Sequence, residues 1–369
     1  MIKAPFVRAA LAALLLASFA CKTAAPSSSK KNDFAVIAYY FGKNADIQQY
    51  KWEQLTHVIF SFCHLRGNKL AVDNAGDSLT IRNLVALKKQ HPRLKVLLSL
   101  GGWGGCATCS PVFSTPEGRS EFAASVQELT KEYDTDGIDL DWEYPAIEGY
   151  PGHPYKPEDK HNFTLLVQEL RRVLGKRADI SFAAGGFTSF FEQSIEWAQV
   201  MPLLDRVHLM SYDLVGGFST VTGHHTPLFS TAEQQGSADY GVRYLKTLGV
   251  PPQKIVIGAA FYARTWEQVE NVNNGLYQPG KFKSFVPYHK FSQTVNPAAG
   301  FAFFRDPAAQ APYAYSRSRK EFATFDDAES VALKTKFAQA KGLGGIMFWQ
   351  LTDDLSQNGL LQAIHDAKE

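Results

Sequence analysis

Four acidic residues lie within one short segment, Asp136-Gly-Ile-Asp139-Leu-Asp141-Trp-Glu143-Tyr-Pro145. Asp139, Asp141 and Glu143 are spaced by two, and because side chains alternate along a β-strand, these three acids share one face. The opposite face is apolar and carries Ile138, Leu140 and Trp142. Three unpaired charges on a buried face would cost several kcal/mol with no structural benefit. We therefore interpret the acids as a catalytic cluster and not as a solvated acidic strand.

Carboxylates this close together raise one another's affinity for protons. A raised affinity can keep one carboxyl protonated near neutral pH, as a general acid requires. Glu143 is the last of the three acids and lies nearest the open end of the strand, so we predict that it donates a proton to a leaving-group oxygen. Asp141 is the neighbour expected to share the proton. Asp139 lies deeper and is expected to adjust the proton affinity of the other two carboxyls.

The elements that position these acids follow from eight short runs rich in Val, Ile and Phe, separated by segments with helical spacing. Near-continuous apolar runs indicate strands buried on both faces, as in a parallel sheet. Strands that alternate with helices predict an α/β fold, the (β/α)8 TIM barrel, whose active sites form at the C-terminal ends of the strands. The runs are 34–40, 57–63, 95–100, 137–142, 180–186, 206–212, 254–262 and 345–349.

The stretch between the seventh and eighth runs is too long for a simple connection, since structureless loops of that length are rare in compact domains. It is rich in aromatic and turn-forming residues, such as Tyr277-Gln-Pro-Gly280 and Phe301-Ala-Phe-Phe304. We predict a small α+β insertion over 264–322, with the barrel formed by 33–263 and 323–369.

The N-terminal segment has the pattern of an export signal. Lys3 and Arg8 accompany an apolar stretch over 9–20 that is too short to cross a bilayer but long enough for a signal-peptide core. We expect a signal peptide over 1–20, lipidation of Cys21 and a polar tether over 21–32, which would anchor the exported protein to a membrane. Ordinary signal cleavage near Cys21, giving a secreted or periplasmic protein, is the alternative.

Charge and cysteine usage exclude several classes of function. The formal net charge of +2 argues against a nucleic-acid partner. Cys106 and Cys109 stand in a glycine-rich loop, where a disulfide is expected in an oxidising compartment; a redox or zinc role is the alternative, but no second cysteine pair would complete a zinc site. His224-His225 has no further ligands at suitable spacing. We expect no metal, no cofactor and a monomer.

The acidic segment resembles the signature of family 18 glycoside hydrolases, the chitinase family. Other segments resemble further family motifs, in the same order along residues 33–369. They are Ser99-Leu-Gly-Gly-Trp103, Met210-Ser-Tyr-Asp213, Phe261-Tyr-Ala-Arg264 and the final-strand Trp349.

This resemblance implies a chitinase that hydrolyses β-1,4-linked N-acetylglucosamine polymers or oligomers with retention of configuration. Family 18 departs from the usual pair of catalytic carboxylates. The N-acetyl oxygen of the substrate would attack the anomeric carbon while Glu143 protonates the leaving oxygen. Asp141, Tyr212 and Asp213 would hold the acetamido group, with Asp139 as the deeper tuner.

The resemblance also implies residues that contact the sugars, since apolar sugar faces pack on aromatic rings. Many relatives carry a tryptophan after Asp213 that is absent here, so Phe218 could form the product-side platform. The implied contacts are Tyr39, Phe60, Trp103, Tyr144, Met210, Arg264 and Trp349.

Two alternatives to a chitinase stay open at this point. One is an endo-β-N-acetylglucosaminidase acting on the N-glycans of glycoproteins. The other is a sugar-binding lectin on the same barrel, which the presence of the acid Glu143 disfavours.

Overall fold

The computed structural model describes Met1, Ile2, Ala4 and residues 34–368. Cys21, most of the expected signal peptide and the expected tether lie outside these described residues. Within them, no helix is both long and apolar enough to cross a membrane.

The eight apolar runs predicted from the sequence fall on strands. Residues 34–368 form fourteen strands in all. In chain order they are β1 (Ala35–Tyr40), β2 (His57–Arg66), β3 (Lys69–Ala71), β4 (Lys95–Gly101), β5 (Gly137–Asp141), β6 (Asp179–Gly185), β7 (Arg206–Met210), β8 (Ile255–Ala260), β9 (Tyr262–Glu267), β10 (Lys281–Pro287), β11 (Phe301–Asp306), β12 (Ala311–Ser316), β13 (Glu321–Thr324) and β14 (Gly345–Trp349).

The α-helices mostly connect consecutive barrel strands. They are α1 (Ala75–Ala86), α2 (Cys109–Phe113), α3 (Pro116–Tyr133), α4 (Asp159–Leu174), α5 (Thr188–Gln193), α6 (Trp197–Val200), α7 (Ala238–Thr247), α8 (Tyr288–Thr294), α9 (Ala328–Ala340) and α10 (Leu360–Lys368).

Helix α4 shows how the sequence specifies these elements. Phe163, Val167 and Leu170 recur at helical spacing and are all buried on the side that packs against the sheet. The helix ends at Gly175, whose φ of 75° lies in the left-handed region that favours glycine.

Eight parallel strands close into a barrel in the order β1-β14-β8-β7-β6-β5-β4-β2, and β1 also pairs with β2. The predicted (β/α)8 barrel is therefore confirmed. Its inner core contains residues such as Ile37, Ile59 and Val256, whereas alternate residues such as Val36 and Val58 pack outward against the helices.

An antiparallel sheet of five strands, in the order β10-β9-β13-β12-β11, lies between β8 and β14 in the chain. Together with α8 it forms the insertion. Its first strand, β9, starts at Tyr262, directly after the seventh barrel strand, and its last strand, β13, ends at Thr324.

Candidate active site

A cleft of about 1150 Å³ opens where the barrel strands end. Asp141, Glu143, Tyr212 and Asp213 line its base, and Trp349 lines it from the last strand. Residues of the insertion, including Arg264 and Phe285, line it as well. The cleft thus lies at the C-terminal face of the barrel, where this fold places its chemistry.

Strand β5 carries the acids as its parity predicts. Ile138, Leu140 and Trp142 pack in the outer core against the helices. Asp139 is fully buried inside the barrel, where it accepts hydrogen bonds from the hydroxyls of Tyr39 (2.9 Å), Ser99 (3.2 Å) and Ser181 (2.6 Å). The strand ends at Asp141, so Glu143 stands just beyond it, in the segment that enters the cleft.

Asp141 and Glu143 both have raised proton affinities. Burial, with the carboxylates of Glu143 and Asp139 beside it, raises the pKa of Asp141 well above its usual range. Burial and the charge of Asp213 raise the pKa of Glu143 to about 7, although a hydrogen bond with Tyr144 lowers it. The Oδ1 atom of Asp141 is buried and has no hydrogen-bond partner among the described residues. A carboxyl with a pKa near 7 in a cleft has the properties of a general acid.

Asp213 is held in the opposite state. Desolvation would raise its pKa, but the hydrogen bonds and charge of Arg264, with His225 nearby, outweigh it and hold the pKa of Asp213 well below its usual range. Arg264 donates to both carboxylate oxygens, and the Tyr262 hydroxyl donates to Oδ1 at 2.8 Å. Arg264 was expected to bind a sugar hydroxyl, whereas the structure pairs it with Asp213. Asp213 is therefore a fixed negative charge facing Glu143.

Tyr212, Tyr144 and Met210 line the cleft around these acids. The Tyr212 ring meets Tyr262 edge-on at 6.3 Å between ring centres. Tyr144 packs edge-on against Phe187 at 5.4 Å. Burial, and then the charges of Asp141 and Glu143, raise the pKa of both tyrosine hydroxyls.

Trp349 and Phe62 form an aromatic wall on the β1 side of the cleft. Their rings stack at 5.5 Å with an angle of 15°, and Phe41 lies 6.0 Å from Trp349. The prediction that Phe60 lines the pocket is wrong. Phe60 is 2% exposed and packs in the outer core, and Phe62 takes its place in the cleft. The register of β2 against β4 shifts between Phe60 and Cys63, which reverses the alternation.

Tyr39, also expected to contact the sugars, lies beneath the cleft. Its side chain is 1% exposed and its hydroxyl contacts Asp139. It touches the cleft indirectly, through a ring contact with Trp349 at 5.8 Å. Tyr39 therefore supports the acids and is not part of the cleft surface.

Trp103 lies at another part of the rim and is 48% exposed. Tyr150 meets it edge-on at 5.5 Å, and Phe218 lies 6.2 Å away. Phe218 is 77% exposed and lines the cleft near Trp103.

The glycine-rich loop after β4 carries the disulfide between Cys106 and Cys109. Gly101 and Gly102 have positive φ values of 104° and 78°. A Cβ at Gly101 would clash with the Asp141 carbonyl, and one at Gly102 would clash with the Phe62 ring. Glycine is needed at both positions for the loop to approach the acids and the aromatic wall.

The adjacent pair His224-His225 has separate partners. His224 contacts Asp306 at 3.0 Å, and His225 lies 3.5 Å from Asp213. Among the described residues, no group of three His, Cys, Asp or Glu side chains is placed to hold a metal ion.

Among the residues of the acid network, sequence reasoning did not identify His208, Ser181 or the part played by Tyr262. His208 lies inside the apolar run 206–212, two positions before Met210, and nothing in that run distinguished it from a core residue. Tyr262 was noted only as part of a motif, and its hydrogen bond to Asp213 became visible with the fold.

The sequence profile described as "Glycosyl hydrolases family 18" matches residues 36–354. Chitinase A1 from Niallia circulans is 34% identical over 299 residues, covering 74% of this chain but only 42% of that protein. This chain therefore spans less than half the length of that relative.

Solved structures give the same family. A family 18 N-acetylglucosaminidase from Paenibacillus barengoltzii matches with a TM-score of 0.82 and 34% identity, covering 91% of this chain and 100% of that one. The Group IV chitinase of Ostrinia furnacalis matches with a TM-score of 0.84 and 25% identity, and the match covers 91% of this chain and 100% of that one. The profile match spans most of the barrel and includes every acid of the cleft, and the chain belongs to glycosyl hydrolases family 18.

Proposed function

We propose that the chain is a chitinase, which hydrolyses β-1,4-linked N-acetylglucosamine chains with Glu143 as general acid and then general base. The observation that carries this proposal is the pairing of Glu143, whose pKa is about 7, with an unpartnered oxygen of Asp141 in one cleft. The family and the names of its relatives support the reaction class.

The state of the other cleft carboxylates supports a substrate-assisted mechanism. A protein nucleophile would have to be an ionised carboxylate free to approach the sugar. Asp213 is ionised but bound by Arg264 and Tyr262, and Glu148 is exposed at the rim. The pKa of Asp141 is raised, which disfavours its ionised form. The acetamido oxygen of the substrate is then the available nucleophile.

In this mechanism each cleft residue has one task. Asp141 accepts a hydrogen bond from the acetamido N–H, and Tyr212 donates one to the acetamido oxygen. These two bonds hold that oxygen in line with the anomeric carbon. Glu143 protonates the leaving oxygen, an oxazolinium-like ring forms, and Glu143 then deprotonates the water that opens it. Trp349 supports the distorted sugar, with Phe62 and Trp103 beside neighbouring sugars.

The test uses two oligomers that differ only in the group at C2. An N-acetylglucosamine tetramer should be cleaved, with the β-anomer as the first product in proton NMR. The matching glucose tetramer should not be cleaved, because it lacks the acetamide. Cleavage of both oligomers, or an α-anomer as first product, would exclude the mechanism.

Glu143→Gln should lower turnover of the tetramer about 10³-fold and leave tetramer binding intact in calorimetry. Glu148→Gln, which removes an exposed carboxylate at the rim, is the matched control and should retain activity. A Glu143→Gln enzyme as fast as the parent would exclude Glu143 as the acid.

A second candidate differs in cutting pattern. Similarity over the whole length of an N-acetylglucosaminidase favours release of single terminal sugars. The products of the tetramer decide, because terminal release gives monomer and trimer, whereas internal cleavage gives dimers. The chitinases among the relatives favour chitin oligomers over N-glycans as substrate.

A further inference from the structure

A buried imidazole lies behind the catalytic acids. His208 is on β7, its neighbours in the barrel sheet are Ala183 and Val256, and it is 1% exposed. Its Nδ1 atom lies 2.9 Å from the Tyr39 hydroxyl and 3.3 Å from Oδ1 of Asp139. Its Nε2 atom is buried and has no hydrogen-bond partner among residues 34–368.

The direction of the hydrogen bonds follows from counting protons. A tyrosine hydroxyl has one hydrogen, and that of Tyr39 is donated to Oδ2 of Asp139. For the contact between Tyr39 and His208 to be a hydrogen bond as well, Nδ1 of His208 must carry the hydrogen and donate it. The chain therefore runs from His208 to Tyr39 to Asp139, with every donor pointing toward the carboxylate.

A buried polar group costs free energy unless its surroundings compensate it. A histidine at this buried position therefore costs folding free energy that a leucine would not cost. The benefit falls on Asp139, which faces His208, Tyr39 and the two serine hydroxyls and which stands next to Asp141.

We propose that His208 is a positioning residue that fixes Tyr39 and Asp139 through its Nδ1–H and thereby sets the protonation of the Asp141–Glu143 pair. This inference rests on the proposed function, because it assigns His208 a part in that reaction without contact to the substrate. The titratable groups that face the network are Tyr39 from β1, Asp139 and Asp141 from β5, and Tyr212 after β7.

The sign of the effect follows from the charges. Removing the donor leaves the charge of Asp139 less compensated, and a more negative field favours the protonated forms of Asp141 and Glu143. Without His208, the alkaline limb of kcat/KM should therefore move to higher pH. The rate at the optimum should fall, because Tyr39 and Asp139 lose their fixed orientation.

Three substitutions separate this role from simple packing. The amide nitrogen of asparagine falls where Nδ1 stands, that of glutamine falls nearer Nε2, and leucine has no donor. His208→Leu should lower kcat about tenfold, the scale of one lost hydrogen bond to a charged network, with KM unchanged, and should shift the alkaline limb upward. His208→Asn should restore the kcat and the alkaline limb of the parent, whereas His208→Gln should restore neither the kcat nor the limb.

Thermal unfolding of each variant shows whether it is folded. A folded His208→Leu enzyme with the kcat and pH profile of the parent would overturn the proposal, as would equal recovery by Asn and Gln. Titration of the Asp141 carboxyl by ¹³C NMR gives a readout that needs no activity. The midpoint of this titration should move to higher pH in His208→Leu and should stay at the parent's value in His208→Asn. If the parent cleaves no chitin oligomer, only the proposed function fails, and this titration still decides the role of His208.

Discussion

The charge of Asp213 provides a direct test of the electrostatics at the site. In the proposed mechanism Glu143 acts as an acid only while protonated, and its pKa is about 7. Above that pH, kcat/KM for the N-acetylglucosamine tetramer should fall about tenfold for each pH unit. Because kcat/KM reports the free enzyme, the midpoint of this limb measures the pKa of Glu143 in the empty cleft.

Asp213→Asn keeps the shape of the side chain and removes its charge. The negative charge of Asp213 raises the pKa of Glu143, so its loss lowers that pKa. Arg264, no longer neutralised by its partner, lowers it further, because a nearby cation favours the ionised carboxylate. Both effects have the same sign, and we expect the alkaline limb to move down by about one pH unit.

The assay is kcat/KM for the tetramer from acid to mildly alkaline pH, with products separated by chromatography. Glu148→Gln removes an exposed carboxylate of the same cleft and should leave the limb in place. An unmoved limb in Asp213→Asn, or one moved to higher pH, would refute the assignment of the limb to Glu143 and of Asp213 as its fixed neighbour.

Three further predictions concern other parts of the chain. Phe60→Ala should lower the free energy of unfolding in urea by about 3–5 kcal/mol and leave KM unchanged. Phe62→Ala should raise KM and cost less stability. The reverse pattern would show that Phe60, and not Phe62, lines the cleft. Lys334→Met should lower the free energy of unfolding by about 3–5 kcal/mol, because it leaves Asp326 buried without its cation. Adding Asp326→Asn to this variant should restore part of the lost stability. Cys21→Ser should move the protein from the membrane to the soluble fraction, and equal fractionation of mutant and parent would exclude the lipid anchor.

The barrel could be predicted from the sequence because its strands are buried on both faces. Such strands appear as uninterrupted apolar runs, and each of the eight runs overlaps a barrel strand, with ends that agree to within three residues. The acids could be predicted for the same reason. Regular alternation along β5 puts Asp139 inside the barrel and Leu140 outside, and any other arrangement would bury a charge among the helices.

The sidedness of β2 could not be predicted in this way. Parity holds only while the strand is regular, and the register of β2 shifts between Phe60 and Cys63. Both residues consequently face the helices although three positions separate them, and Phe62 between them faces the cleft. The local sequence, Ile-Phe-Ser-Phe-Cys, is apolar throughout and carries no sign of the irregularity.

The partners of Asp213 were hidden for a different reason, since they come from distant parts of the chain. Arg264 and Tyr262 stand on β9, the first strand of the insertion, and the backbone N–H of His225 donates to Thr324 at the end of its last strand. A tetrapeptide motif shows that such residues are present but not which of them pair.

These contacts give the insertion a part in the chemistry as well as in the shape of the cleft. Strands β9 and β13 pair with each other, with Arg264 opposite Thr324, so one piece of sheet holds both Arg264 and the anchor of His225. Just after β13, Asp326 accepts hydrogen bonds from Thr226, the Ala260 N–H and buried Lys334, which ties the same edge to the barrel. A movement of this sheet would change the distance from Arg264 to Asp213 and, through the charge of Asp213, the pKa of Glu143. The insertion and Glu143 are therefore electrostatically coupled, and in the proposed mechanism this coupling needs no contact between the insertion and the bond that is cut.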